Sequence, residues 1–334
     1  MTDRLLAVVL LLVLVGCTGP DVKQPTTRAD LEIIAEDDRF AVVRLRRGQG
    51  YSELAEALLD DPGERWQILE VNDLPGMPGD IVAIPLRPIN ASGFFADGYR
   101  VIPILCYHQF TAGDTTRQQL EVSEVAFREQ MTYLRDNDYQ VIPLAHVVDI
   151  LDGKRPMPPR AVVITVDDGY RSFYDYAWPI LEEFGYPATH FIYTDFIGGS
   201  KALTWEEIEE IAASGLVDFQ SHGKSHTRLS RLPGEASREA YRERLQEELD
   251  ASGNVFDKRL GAAPVMLSYP YGDSSDMAVE LLAEADYQLA ATVTRGDNTV
   301  YADRYLLHRT MIYDHHDLAD FRKLLRNFRR KRLK

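Results

Sequence analysis

Apolar runs alternate with amphipathic stretches along most of the chain after residue 100. The run at 162–166 is rich in β-branched residues, which is typical of a strand buried on both faces of a parallel sheet. Similar runs lie at 102–107, 188–193, 216–220, 265–268 and 287–293. Helical spacing predicts helices after Ser123, at 144–151, at 173–184 with a kink at Pro179, after Thr204, and at 236–258, 275–285 and 316–328. This alternation predicts an α/β unit built on a parallel sheet or barrel.

Polar motifs follow three of these strands. They are Asp167-Asp168-Gly169, the pair His222 and His226, and the segment 269–272. Adjacent strand residues point to opposite faces, so two acids in a row belong where a strand ends. Taken alone, Asp-Asp-Gly is equally typical of a solvated turn. Because imidazole and carboxylate together suit a borderline divalent cation, the three motifs in this order favour a metal site at the strand ends.

These motifs resemble those of polysaccharide deacetylases, the NodB-homology domain of carbohydrate esterase family four. Each family motif has a counterpart here: residues 165–169 for Thr-Phe-Asp-Asp-Gly, 222–226 for His-Ser/Thr-x-x-x-His, and 269–272 for Arg-x-Pro-Tyr-Gly. The departures are Val166 in place of phenylalanine, Gly223 after the first histidine, and a missing arginine near Ser268. The resemblance covers residues 100–320 and implies an irregular (β/α)₇ barrel, with domain bounds of 99–328.

The resemblance also implies a role for each motif residue. Asp168, His222 and His226 would be metal ligands, with Zn²⁺ expected and Co²⁺ or Ni²⁺ as alternatives. Asp167 would be the general base, and Tyr271 would donate its backbone amide to the oxyanion. Such a site would hydrolyse an acetamide, which needs an activated water, a base, an acid and oxyanion donors.

Two histidines are candidates for the general acid. His308 fits the family's late Leu-x-His motif. A subgroup that includes deacetylases of biofilm poly-N-acetylglucosamine instead opens on a strand ending in Tyr-His and carries a late Leu-x-Arg. Tyr107-His108 and Leu307-His308-Arg309 fit that order. We therefore favour His108 as the acid and expect Arg309 to orient Asp167, while His308 stays an alternative.

The first 38 residues are expected to export and tether the protein. An apolar run at 5–15 follows Arg4 and is shorter than the about twenty residues that span a bilayer. Residues 14–17 resemble a bacterial lipobox, which implies acylation of Cys17, a lipid anchor and, because Thr18 follows, the outer membrane. An ordinary signal peptide or a membrane anchor is the alternative. The polar segment 18–38 predicts a flexible tether.

Residues 39–88 are expected to form a separate α+β unit. The pattern predicts a strand at 40–43, a helix capped by Ser52, a second helix ending near Asn72 and a strand at 81–85. This order resembles a LysM module, which implies binding of N-acetylglucosamine-containing glycans. The alternative is a packing unit without a ligand.

Charge and cysteine content narrow the partners. The net charge of −15 disfavours nucleic-acid binding. The basic tail at 329–334 predicts either a solvated, frayed end or contact with anionic headgroups. Apart from Cys17, the chain has one cysteine, Cys106, which its apolar surroundings predict to be a small buried residue.

The expected function is a metal-dependent hydrolase that removes N-acetyl groups from an envelope or extracellular polysaccharide. Poly-N-acetylglucosamine and peptidoglycan are the expected substrates, and the expected location is the outer membrane, facing the periplasm or the cell surface. The alternatives are an inactive glycan-binding lipoprotein and a metal-dependent esterase of small acetylated molecules.

Overall fold

The computed structural model describes residues 26–331 and divides the chain into two compact units, with the boundary between Arg87 and Pro88. The expected signal and acylation site at Cys17, the tether through residue 25 and the last three residues of the tail lie outside the described residues. Within 26–331, no helix is both long and apolar enough to cross a bilayer.

The first unit is a three-stranded antiparallel sheet packed with two helices. Its elements are β1 Glu32–Glu36, β2 Phe40–Arg44, α1 Tyr51–Leu59, α2 Arg65–Val71 and β3 Ile81–Pro85. The strand order is β1-β2-β3, so β2 is central. Side chains from the sheet and from both helices meet in one core that includes Val43, Leu54 and Ile68, each fully buried.

The predicted end of the second helix is confirmed, and two other expectations for this unit are wrong. Asn72 caps α2 and bonds the backbone of Ala83, which ties the helix to β3. Residues 32–36, expected in the tether, form β1 because they pair with β2 along its full length. Gly50, not Ser52, precedes the first turn of α1, and its amide donates to the Glu53 carboxylate at 3.0 Å.

The second unit contains the long α/β segment. Its strands and helices, in chain order, are β4 Phe94–Phe95, β5 Gly98–Arg100, β6 Ile104–Tyr107, β7 Gln109–Thr111, β8 Glu121–Ser123, α3 Glu124–Asp136, β9 Gln140–Val141, α4 Leu144–Leu151, β10 Ala161–Asp168, α5 Trp178–Phe184, β11 Ala188–Ile192, α6 Trp205–Ala213, β12 Val217–Ser221, α7 Arg238–Leu260, β13 Met266–Ser268, α8 Asp276–Glu284, β14 Leu289–Ala291, β15 Thr310–Met311, α9 Leu318–Leu324 and β16 Phe328–Arg330.

A curled parallel sheet forms the centre of this unit. Its order is β14-β13-β12-β11-β10-β6-β15, with β9 beside β10. The two ends of the sheet meet at the segment 307–311, where β15 pairs with β6 and Leu307 bridges Ala291 of β14. The predicted α/β fold with a parallel sheet is therefore confirmed.

Every residue of β10 is buried, and successive side chains point alternately into two different apolar clusters. Val162, Ile164 and Val166 pack in one apolar cluster with residues of α3 and α5. Val163 packs in a second cluster with residues of the neighbouring parallel strands. Asp167 shares the face of Val163, whereas Asp168 is the last residue of the strand, still paired with Ile192 of β11, and has a φ of 82°.

The helix predicted at 173–184 is confirmed, and three other expectations for the second unit are wrong in detail. A π-helical turn at Phe173–Ala177 runs directly into α5, and Pro179 is the second residue of α5. The strand expected at 287–293 is the shorter β14. The last helix ends at Leu324, and the expected frayed tail instead forms β16, which pairs with β5 and is held by a salt bridge from Arg329 to Asp297.

His190 is a buried histidine in β11 that lies outside the three sequence motifs. Its ring lies 4.5 Å from that of Phe173 and 5.5 Å from that of Phe219, and neither ring nitrogen has a hydrogen-bond partner in the described part of the chain. Burial lowers the pKa of His190 to about 3, against the opposing effect of the Asp167 and Asp168 charges. The imidazole is therefore neutral in the folded protein.

Acid should destabilise the fold through His190. The unfolded chain binds a proton at this residue below a pH of about 6.5, and the folded chain does so only near its lowered pKa, so stability is lost as the pH falls. From pH 7.5 to 5.0 this residue should remove roughly 2 kcal/mol from the free energy of unfolding. Urea unfolding of His190→Phe should lose that part of the pH dependence. The exposed His315→Phe is the control, and an unchanged slope in His190→Phe would contradict the expectation.

Candidate active site

The carboxyl ends of the parallel strands bring the sequence motifs to one edge of the sheet. Asp167 and Asp168 end β10, His222 follows β12, and Tyr269 follows β13. The turn after β10 needs a glycine, because Gly169 has a φ of 94° and a Cβ there would lie 2.8 Å from the Ile197 side chain. Loops at this edge carry ligands and catalytic groups in α/β folds generally.

Asp168 faces both imidazoles of the His-x-x-x-His motif. Its Oδ1 lies 3.4 Å from Nε2 of His222 and 3.3 Å from Nε2 of His226. These distances are long for hydrogen bonds, and the buried Oδ1 has no partner with good bonding geometry among residues 26–331. A carboxylate and two ring nitrogens converging on one point are the donor set that a zinc-like cation prefers, so the three residues fit a metal.

A hydrogen bond to the backbone orients His222 for this role. Its Nδ1 donates to the carbonyl oxygen of Ser268 at 2.7 Å, which holds Nε2 on the side of Asp168. Although burial raises the pKa of Asp168, its interactions with the two histidines hold it well below its usual range. Asp168 is thus ionised at neutral pH, as a metal ligand would need to be.

Asp167 has a different set of partners from its neighbour. Arg309 donates from Nη1 to Oδ1 at 2.7 Å and from Nη2 to Oδ2 at 2.6 Å, in a bidentate pair with no exposure to solvent. Ser268 Oγ donates to Oδ2 at 3.0 Å. Burial raises the pKa of Asp167, but the charge and hydrogen bonds of Arg309, together with the charges of His222 and His108, hold it below its usual range. Asp167 is therefore ionised at neutral pH.

Arg309 occupies the place of the arginine that the third motif lacks. It is wholly buried and also donates to Thr165 Oγ1 at 3.1 Å and to the Ser268 hydroxyl at 2.6 Å. The contact with Asp167 is the one expected from the Leu-x-Arg pattern, and it joins the segment 307–311 to the end of β10.

His108 lies beside Asp167. A ring nitrogen of His108, the Cys106 sulfur and an Asp167 oxygen lie within 4.8 Å of one another. This group could also hold a cation, but both Asp167 oxygens already accept from Arg309, so the Asp168 group fits a metal better. Burial lowers the pKa of His108, which keeps the imidazole neutral until a proton is delivered.

The structure does not bring His308 into this cluster. Arg309 points to Asp167, and neighbouring residues of an extended segment point to opposite sides. The His308 ring instead packs against Gly296, and its backbone bonds Asn298 in both directions. Tyr271 does lie at the site: it has a left-handed φ of 60°, and its ring centre is 4.6 Å from that of His226.

Comparison with known proteins identifies the domain. Residues 154–290 match the family model described as polysaccharide deacetylase. The putative polysaccharide deacetylase YxkH of Bacillus subtilis is 29% identical over 211 residues, which cover 63% of this chain and 71% of the relative. The chain is therefore similar in sequence to polysaccharide deacetylases. The expectation of an enzyme in this hydrolase class is confirmed.

Two further matches cover very different shares of the related protein. The poly-beta-1,6-N-acetyl-D-glucosamine N-deacetylase of Escherichia coli is 27% identical over 226 residues, but the match spans 34% of that protein. The solved structure of the Streptococcus pyogenes deacetylase PplD in complex with acetate has a TM-score of 0.60 at 23% identity, over 68% of this chain and 98% of that one. At this identity the structural likeness shows a shared fold.

Motif analysis of the deacetylase domain missed Glu248 of α7. Its Oε2 accepts from the backbone amides of Lys224 and Ser225 at 3.0 Å each, and its Oε1 accepts from the Ser225 hydroxyl at 2.6 Å. Glu248 is buried and holds the loop between His222 and His226. One signal was available in the sequence: Glu248 is an acidic residue on the same, mostly apolar face of the helix as Tyr241, Leu245, Leu249, Ser252 and Phe256.

Glu248→Ala should weaken metal binding without touching a ligand. Losing the anchor frees the loop between the two histidines, and loss of such outer contacts commonly costs about 10- to 100-fold in metal affinity. Zinc affinity, measured by competition with a chelating dye, should fall by this factor, and Glu248→Gln should fall less because it keeps one acceptor oxygen. Glu247→Ala, on the exposed side of the same helix, is the control. Equal affinity in all variants would contradict the assignment.

Proposed function

We propose that the protein is a divalent-metal-dependent N-deacetylase of a polysaccharide that contains N-acetylglucosamine. The observation that supports this proposal is that two adjacent carboxylates have different partners. Asp168 faces two imidazoles, and Asp167 faces Arg309. Poly-β-1,6-N-acetylglucosamine is the first candidate substrate, because several relatives are named for its deacetylation. The sheet with its ends bridged supports the irregular (β/α)₇ barrel of these enzymes.

The proposed mechanism assigns each proton to a residue of this chain. Asp168, His222 and His226 would hold the cation, with zinc as first candidate, and when bound it supplies Lewis-acid activation of water and of the acetamide carbonyl. Asp167 accepts the proton of the attacking water, since Arg309 keeps it ionised and in place. His108 takes up the proton that Asp167 has accepted and delivers it to the leaving amine, so that the carboxylate and the imidazole both return to their starting forms. The backbone amide of Tyr271 donates to the developing oxyanion.

Acetate release is the direct test. The purified full chain should release acetate from β-1,6-linked N-acetylglucosamine oligomers when zinc, cobalt or nickel is added, and a chelator should stop the reaction. Chitooligosaccharides and peptidoglycan, assayed in parallel, define the glycan. Bound metal without acetate release from any of these would favour an inactive glycan-binding protein, and release from small acetylated esters alone would favour an esterase.

We also propose that the chain is an exported lipoprotein anchored through Cys17 in the outer membrane. The lipobox-like residues 14–17 support this. Mass spectrometry of the membrane fraction should detect an acylated peptide that starts at Cys17. A soluble mature form that starts at another residue would reject the anchor.

The first unit is proposed to act as a LysM-like glycan-binding module. The order β2-α1-α2-β3 and the two-helix layer support this assignment. Deleting residues 39–88 should reduce activity on insoluble polymer and spare activity on a short soluble oligomer. Equal loss on both substrates would show that the unit serves folding rather than binding.

A further inference from the structure

Tyr271 presents an aromatic ring at the mouth of the candidate site. The residue is 55% exposed, although its ring touches that of His226. Its backbone is left-handed, with a φ of 60°, which is costly for a bulky side chain and persists where the surroundings enforce it. The ring therefore borders the place where the acetamide would react, and it also borders solvent.

Arg228 fixes one side of this ring. Its guanidinium carbon lies 4.7 Å from the ring centre of Tyr271, and its Nη1 donates to Asp273 Oδ2 at 3.0 Å. Ser230 Oγ donates to the same carboxylate oxygen at 2.6 Å. The Arg228 side chain remains 52% exposed, so its other N–H groups can donate to a ligand.

The backbone that carries Arg228 is itself held from α7. Arg244 donates to the carbonyl oxygen of Arg228 at 2.9 Å and to that of Ser230 at 2.8 Å. The Tyr271 ring and the Arg228 guanidinium are thus held in place without a ligand, so binding costs less side-chain conformational entropy. Arg228 and Asp273 lie outside the three motifs that carry the family resemblance.

We propose that Tyr271, Arg228 and Asp273 form a sugar-binding subsite beside the reacting residue. The inference rests on the proposed function and adds that the substrate is recognised over several sugars. A pyranose can lay its C–H face on the tyrosine ring, while the guanidinium donates to hydroxyl or acetamide oxygens. Because Asp273 balances the charge of Arg228, the subsite suits an uncharged glycan rather than an anionic one.

The test compares a dimer with a pentamer of β-1,6-linked N-acetylglucosamine, using the metal-loaded full chain. Arg228→Gln should raise KM for the pentamer by about fivefold, as expected for one lost stacking and donor contact. KM for the dimer and kcat for both substrates should stay within about twofold, because the Arg228 guanidinium contacts the Tyr271 ring and Asp273 and not the two carboxylates proposed for the chemistry. Arg228→Lys should not restore the pentamer KM, since a point charge cannot replace the planar fork.

Arg304→Gln is the control, because Arg304 is another arginine paired with an aspartate, Asp152, and it is partly exposed and outside the three motifs in sequence. An equal rise of KM on dimer and pentamer, an unchanged pentamer KM, or restoration by lysine would each overturn the subsite. If the wild type releases no acetate, the proposed function fails separately. Calorimetric titration of pentamer into wild type and Arg228→Gln then decides the subsite: weaker binding by the variant supports it, and equal or absent binding rejects it.

Discussion

Asp167→Asn should reduce turnover by about 10²–10⁴-fold while the protein keeps its metal. Asparagine preserves the shape of the side chain but cannot accept the proton of the attacking water. Asp167 Oδ2 lies 3.9 Å from Nε2 of His222 and has Arg309 as its main partner, so its loss should leave the cation's donors in place. Acetate release and metal content, measured on the same sample, check both halves of this expectation.

Asp168→Asn is the matched control, because it makes the same chemical change one residue away. It replaces the anionic oxygen that both imidazoles face, so metal content should fall together with activity. If Asp167→Asn strips the metal and Asp168→Asn only slows turnover, the two roles are reversed. If Asp167→Asn keeps full turnover, the proposed mechanism is wrong.

Arg309→Leu should lower the free energy of unfolding by about 3–5 kcal/mol. The substitution leaves the Asp167 carboxylate buried without its counter-charge, and it also removes donors to Ser268 and Thr165. Removing one partner of a buried pair costs far more than the pair itself contributes, since the remaining charge has lost its solvation. Urea unfolding at neutral pH measures the change.

Arg128→Leu separates this effect from the loss of any arginine. Arg128 pairs with Glu183 at 2.7 Å on the surface, with both side chains well exposed, and such pairs contribute about 0–1 kcal/mol. The double variant Arg309→Leu with Asp167→Leu should recover part of the lost stability, because neither charge then remains buried. A loss below about 1 kcal/mol in Arg309→Leu would show that Asp167 is stabilised by other groups.

Much of the catalytic unit could be predicted from the sequence, for physical reasons. The apolar run before Asp167 has the composition of a strand buried on both faces, and the acids mark its end. The N-caps of two helices were also visible, since Ser123 and Thr204 accept from amides three residues on. Local chemistry determines such features, so a single sequence contains them.

Features that depend on pairing over long distances were not predictable in the same way. β1 lies at the end of a segment that is polar overall, and it forms because β2 offers it a partner. β16 forms near the basic tail because β5 lies beside it. Glu248 bonds the histidine loop although it is 24 residues from Lys224 in sequence. In each case a tertiary contact outweighs the local preference.

The late position of the segment 307–311 in the chain determines when the enzyme can become active during its synthesis. This segment joins both ends of the sheet and supplies the counter-charge of Asp167, yet it is made after every other strand of that sheet. A growing chain that has exposed the Asp-Asp and His-x-x-x-His motifs still lacks the guanidinium that holds Asp167 ionised. The counter-charge of Asp167 and the segment that joins the sheet ends are therefore made together, and hydrolytic capacity is coupled to completion of the fold.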